Sequence, residues 1–343
     1  MITAEYYGRT AKGEEVYSYT LQNDMGTAVK VIEYGCVITN VFVKDKNGNM
    51  RDVVLGYDKL EDYEKGNASF GSFVGRYANR IEDAKAVIDG ETYYMPPHDG
   101  KNHLHGVLTR KVFKGSIADN SLVLCAVSEE GDDALPGNLN ITVTYTLTED
   151  NALVLDYKAD TDKETIVNFT NHSYFNLNGD HADDIAAQSL WLQSSSFTEN
   201  NAENCPTGRI LPVKGTPMDF TVAKPIGKDI NADYYQLKLA SGYDHNFILD
   251  KENGELALAA IAKSEESGIS METYTTQPAV QLYTANFVGN SEVLGKNKKA
   301  YQNRCAFCLE TQHYPCTPSH PEFPRVALLP KEEYHETTVY KFV

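Results

Sequence analysis

The run Leu139-Asn140-Ile141-Thr142-Val143-Thr144-Tyr145-Thr146-Leu147 decides the fold class. Apolar residues occupy every odd position and small polar ones every even position, an unbroken period of two over nine residues that predicts a strand with one face on a core. Working outward, Thr148-Glu149-Asp150-Asn151 supplies a turn, and Leu153-Val154-Leu155 starts a second strand. The same reading recurs along the chain. Residues 16–44 are predicted as β, with Val37, Thr39, Val41 and Val43 alternating with Ile38, Asn40 and Phe42. Lys46-Asn47-Gly48-Asn49 is a turn before a short strand at Val53-Val54-Leu55-Gly56. Asp89-Gly90 is the two-residue turn of a hairpin over residues 86–95. Later strands are expected at 247–249, 270–287, 306–312 and 337–342. Pro206, Pro212, Pro217 and Pro225 mark a long irregular connection. One brief helix is expected over 59–65. The expectation is an all-β protein: a large antiparallel β-sandwich, or two fused, with few short helices.

At 343 residues the length alone suggests about two domains, but a large sandwich can run long as one, and a single domain over 1–343 is expected. No internal repeat, low-complexity tract or linker interrupts it. Net charge is 31 − 48 = −17, which argues against a nucleic-acid partner. The start Met1-Ile2-Thr3-Ala4-Glu5-Tyr6 lacks a signal peptide's basic end and apolar core, and no apolar run is long enough for a membrane helix. Six cysteines are too sparse for a disulfide scaffold, so a reducing cytoplasm is the expected location. Cys305 and Cys308 form a C-x-x-C pair, but on a strand that odd spacing sends the sulfurs to opposite faces, and both are read as structural thiols.

Candidate chemistry centres on Asn168-Phe169-Thr170-Asn171-His172-Ser173-Tyr174-Phe175-Asn176-Leu177. Read as a strand, it puts Asn168, Thr170, His172 and Tyr174 on one polar face suited to a cleft wall. Far downstream, Phe307-Cys308-Leu309-Glu310-Thr311-Gln312 sets an acid inside an apolar run. An imidazole and a carboxylate together make an acid–base pair. In Gly71-Ser72-Phe73-Val74-Gly75-Arg76-Tyr77-Ala78-Asn79-Arg80-Ile81 the two arginines are either solvated cations on a loop or, for Arg80, a donor fork aimed at ligand hydroxyls. The pair His103-Leu104-His105 would put both rings on one face of a strand, open to structural, metal-binding or hydroxyl-binding readings. Asp244, heading the strand at 247–249, is a hydroxyl acceptor or a turn cap.

Taken together, Gly75–Ile81, Asn102-His103-Leu104-His105-Gly106, Asn171–Leu177, Gly242-Tyr243-Asp244-His245-Asn246-Phe247, Tyr274-Thr275-Thr276-Gln277-Pro278 through Asn286-Phe287, and Phe307–Gln312 resemble the galactose mutarotase (aldose 1-epimerase) family, in its order and across nearly the whole chain. The resemblance implies a galactose mutarotase-like supersandwich with a groove across one face. It implies interconversion of the α- and β-anomers of free aldohexoses without cofactor or metal. Glu310 is then the general base and His172 the general acid, while Asn79, Arg80, His105, Asp244 and Gln281 hold the sugar hydroxyls. The expected partner is a monosaccharide, with no nucleic acid or membrane, and the protein a monomer or homodimer. Val107 replaces the family's usual second glycine after His-Gly and is expected to narrow the cleft locally. Trp191 is a stacking candidate no better placed than the many tyrosines. Three other readings stand beside this one: an epimerase of a phosphorylated hexose, a non-catalytic sugar sensor, and a metal-dependent enzyme using His103 and His105.

Overall fold

The structure is a computed structural model that describes residues 1–343. Three antiparallel sheets carry it. A five-stranded meander runs in chain order through Ile2–Arg9, Glu15–Gln22, Ala28–Ile32, Ile38–Lys44 and Met50–Asp52. A nine-stranded sheet is ordered Lys114–Ala118, Ser121–Ser128, Leu139–Leu147, Ala152–Thr161, Tyr334–Phe342, Ser270–Thr275, Ala257–Lys263, Ser189–Leu192 and Lys224–Pro225. The C-terminal strand thus joins the first and second halves of the chain in one sheet. A second five-stranded sheet is ordered Pro206–Pro212, Ser196–Asn200, Asp244–Ile248, Ala279–Tyr283 and Cys308–Gln312. The two α-helices, Leu60–Lys65 and Tyr235–Ala240, are six residues each, and no helix is long and apolar enough to cross a membrane.

Alternation explains the stacking. Leu139, Ile141, Val143, Tyr145 and Leu147 are all buried, and the residues between them are half-buried or exposed. Their face meets Leu21, Val29 and Val31 of the meander and Phe197, Phe247, Val280, Leu282 and Leu309 of the second five-stranded sheet in one core. Each such side chain contributes about 1.5–3 kcal/mol by leaving water. Tyr145 is buried with them because its hydroxyl donates to the Cys36 carbonyl at 2.8 Å. The Asp89-Gly90 hairpin forms as expected between Lys85–Ile88 and Glu91–Tyr94, with positive φ at both turn residues.

Four expectations need correction. Residues 53–56 are not a strand; the strand is Met50–Asp52, and Leu55 N–H turns instead to the Tyr174 carbonyl at 2.9 Å. Residues 270–287 are two strands in different sheets, because the chain corners at 276–278. Pro206–Pro212 is a strand after all; it lies at a sheet edge, where a missing N–H is tolerated. In the stretch 168–177 only Thr170–Asn171 is a strand. Its asparagines tie separate segments together rather than line a cleft: Asn168 donates to the Ala78 carbonyl, Asn171 to that of Gly71 and Asn176 to that of Cys305. Buried side-chain amides with such partners substitute for sheet ladders.

Candidate active site

The histidine segment is clamped from two sides. Phe175 and Phe307 exchange both backbone hydrogen bonds, at 2.7 and 2.9 Å, which pins residues 172–175 beside the edge strand Cys308–Gln312. On the other side His172 N–H donates to the Ser72 carbonyl at 2.9 Å and Gly71 N–H to the His172 carbonyl at 3.0 Å. Gly71 has φ +66°, and a β-carbon there would lie 2.1 Å from the Ile38 carbonyl oxygen, so only glycine allows this close passage. His172 Nε2 ends 3.6 Å from Glu310 Oε2, both side chains almost wholly buried. Glu310 is there because strand alternation and register align it with Gln281 on the neighbouring strand, and Cys308 with Tyr283 and Asp244.

A second group arrives on a small ribbon, Arg80–Ile81 paired with His103–Leu104. Asn79 and His105 flank it, both in the left-handed region at φ +67° and +64°; asparagine and histidine tolerate that region better than most residues. This break in alternation separates the histidine pair. His105 turns to His172, ring centroids 5.1 Å apart, whereas His103 packs on His98 and bonds the Pro96 carbonyl. The expectation that both rings share a face is therefore wrong. Gly106, φ +71°, passes so close that a β-carbon would meet Asp133 Oδ2 at 2.5 Å.

These elements enclose a cavity of about 360 Å³ lined by Asn79, Arg80, His105, His172, Asp244 and Glu310, together with Asp99, Tyr174, Tyr283, Phe287 and residues 67–69. That is the small end of the range of about 300–1,000 Å³ for small-molecule sites. Arg80 Nε donates to Asp99 Oδ2 at 2.7 Å and its Nη1 lies 3.7 Å from Asp244 Oδ2, so the guanidinium is held between two carboxylates. Gln281 does not line the cavity; its Nε2 donates to Asp244 Oδ1 at 2.7 Å from beneath. Arg76 is neither solvated nor at the site. It is fully buried and donates to the carbonyls of Ser128, Glu129, Pro136 and Gly137 and to Ser128 Oγ. Val107 is half outside, donates its N–H to Asp133 and does not narrow the cavity. Trp191 bonds the Thr221 carbonyl, also away from it. Asp99 was not singled out from the sequence; its signal is an acid beside the densest histidine run.

Electrostatics departs from the ordinary values of its groups. Burial pushes the Glu310 carboxyl well up, and the Asp244 charge adds to this while Arg80 opposes it. Burial pushes His172 down to about 4 and His105 down as well, the latter helped by His172 and Arg80. Asn79 N–H donates to His105 Nδ1 at 3.2 Å. A neutral ring accepting there carries its proton on Nε2 and offers an N–H donor. His105, His172 and Glu310 each bring a potential metal-ligand atom within 4.8 Å of the others. The His105 tautomer does not suit a metal, since Nδ1 is already accepting and Nε2 is protonated.

Known proteins resemble the chain over nearly its whole length. The sequence family described as aldose 1-epimerase matches residues 17–341. The chain is 37% identical to galactose mutarotase of Rattus norvegicus over 99% of its own length and 98% of that protein. It is 34% identical to aldose 1-epimerase of Escherichia coli, over 96% of each. The crystal structure of galactose 1-epimerase from Lactobacillus acidophilus superposes with a TM-score of 0.87 at 28% identity, covering 100% of this chain and 98% of that one.

Proposed function

The chain belongs to the aldose 1-epimerase family of carbohydrate isomerases, and from that premise we propose that it interconverts the α- and β-anomers of free aldohexoses such as galactose and glucose. The observation that carries the reading is the buried Glu310–His172 pair, 3.6 Å apart on the wall of a hexose-sized cavity. Glu310 takes the proton of the C1 hydroxyl as the C1–O5 bond breaks, and His172 Nε2 gives a proton to O5. Rotation about C1–C2 presents the other aldehyde face. The reversed transfers then close the ring and return both protons. One proton is thus shared by the pair, on His172 while the sugar is closed and on Glu310 while it is open. Each positioned acid or base is worth roughly 10²–10⁴-fold.

The shifts in the two groups support this traffic. An unperturbed glutamate and histidine would both be content as ions near neutrality; burial disfavours both ions and so favours moving the proton to Glu310. For His172 the displacement from 6.5 to about 4 corresponds to about 3 kcal/mol. Against it, an ion pair at 3.6 Å gains about 5 kcal/mol at an effective dielectric of about 20. The attraction within the pair thus opposes the burial cost that His172 and Glu310 both carry, and brings the two proton distributions closer in energy. Arg80 and His105 donate to sugar hydroxyls, Asp244 accepts, Asn79 fixes His105, and Gln281 steadies Asp244. All of the chain serves this one site, as a single functional unit.

The cavity argues against a phosphorylated sugar. Arg80 is the cation of its wall and is already shared by Asp99 and Asp244, with Glu310 a third acid. A sensor needs hydroxyl partners but no buried acid–base pair. The test is polarimetry of fresh α-D-galactose, α-D-glucose and glucose 6-phosphate with wild type and Glu310→Gln. Faster approach to the same rotation for the free sugars is expected, with turnover at least about 10²-fold lower and galactose affinity retained in the variant. Near-wild-type turnover in Glu310→Gln would refute the base, and preference for the phosphorylated sugar would refute the substrate.

A further inference from the structure

The strand that presents Glu310 presents a second group on the same face two residues earlier. Cys308 is fully buried, and its Sγ lies 3.6 Å from His172 Nδ1, the ring nitrogen turned away from Glu310. His172 is otherwise held by rings: it stacks on Tyr174 (centroids 4.9 Å, interplanar 16°) and meets His105 and Tyr283 edge-on. Stacking fixes the plane of an imidazole but does not choose which nitrogen carries a lone proton. That choice falls to whatever bonds Nδ1.

We propose that Cys308 is a positioning residue of the reaction: its sulfur accepts the Nδ1–H of His172 and so reserves Nε2 as the nitrogen that gives and regains the proton. The inference rests on the acid role of His172 argued above. During turnover His172 alternates between an imidazolium with N–H at both nitrogens and a neutral ring that has lost the Nε2 proton to O5. The neutral ring must keep its remaining proton on Nδ1. In a buried site that N–H needs an acceptor, since an unmade hydrogen bond there is costly. Without one, the neutral ring shifts its proton to Nε2 and cannot take the O5 proton when the sugar recloses. The neighbouring His105 shows the opposite arrangement, with a donor at Nδ1 and the proton on Nε2, as suits a residue that only donates.

A thiol is a fitting acceptor here. A carboxylate at Nδ1 would stabilise the imidazolium and oppose proton release. Burial holds the Cys308 thiol protonated, far above its ordinary range, so it orients the ring without adding charge. Cys308 makes and breaks no covalent bond in this arrangement, and the thiol is unchanged through the cycle.

The experiment uses the full chain as wild type, Cys308→Ala and Cys308→Ser. It measures kcat by polarimetry, galactose affinity by calorimetry, and the protonated nitrogen of His172 by 15N NMR at neutral pH. The expected result is Nδ1–H in wild type and Cys308→Ser. Cys308→Ala should move the proton to Nε2, lower kcat by roughly 10–100-fold and leave affinity unchanged. Cys308→Ser should recover most of that loss, because a hydroxyl oxygen also accepts. Wild-type His172 carrying its proton on Nε2, or Cys308→Ala with undiminished kcat, overturns the role of Cys308 alone. A loss of kcat in Cys308→Ala with the proton still on Nδ1 also overturns it. Absence of mutarotation by wild type overturns the functional reading, and this inference with it.

Discussion

His245→Asn should make the protein markedly less sensitive to acid. His245 follows Asp244 on the strand, so its ring points to the opposite face, where it is fully buried edge-on to Phe197 at 5.9 Å. Its Nδ1 accepts the Asp244 N–H at 3.1 Å, and its Nε2 has no partner. Burial alone pushes its pKa down to about 3 from the ordinary 6.5. The folded value is depressed, so the unfolded chain binds the proton first as pH falls. The stabilisation is complete above about 6.5 and is lost progressively towards about 3. At pH 5 the unfolded imidazole is protonated and the folded one is not, which is worth about 2 kcal/mol relative to pH 8. Asparagine can take over the Nδ1 acceptor role but does not titrate. Chemical unfolding of wild type and His245→Asn at pH 8 and pH 5 measures the difference. Wild type should lose about 2 kcal/mol more than the variant between the two conditions. Losses equal to within about 0.5 kcal/mol would show that His245 titrates alike in both states, refuting the argument from burial.

Two further outcomes follow from the same physics. Because one proton is shared by Glu310 and His172, kcat/KM should be bell-shaped, with an acid limb near pH 4 as His172 and Glu310 become protonated together and an alkaline limb where the raised Glu310 loses the last proton; a profile that keeps rising with pH, after subtraction of the uncatalysed rate, would contradict it. Arg76→Met should cost at least about 3 kcal/mol, because three buried carbonyls and the part-buried one of Glu129 lose their donor together, and should lower Tm by several degrees without altering KM; an unchanged Tm would show that the guanidinium braces nothing.

The sequence was a good guide wherever the controlling physics is local. Leu139–Leu147, the Asp89-Gly90 hairpin and the helix at Leu60–Lys65 form as expected, because alternation and turn geometry depend on neighbouring residues alone. The segments around Asn79, His105, His172, Asp244 and Glu310 converge on one cavity, as the family resemblance implied. The misreadings arose where distant chain intervenes. The stretch 168–177 looks like a strand by composition, yet its amides are claimed by Gly71, Ala78 and Cys305. Arg76 and Arg80 are alike on paper, four residues apart in one motif. One is a buried brace and the other lines the cavity, because only Arg80 lies on the ribbon facing Asp244 and Asp99.

By itself, then, the sequence determined the β character of the chain, its turns and the identity of the groups able to do acid–base chemistry. All of these are properties of residue type and spacing. Only the tertiary structure decided that Nε2 of His172 faces Glu310 while Nδ1 faces a thiol, that Gln281 stands behind Asp244, and that His103 is left outside. It also decided the proton affinities. Desolvation depends on how much of the whole fold stands between a group and water, and no short stretch of sequence carries that information.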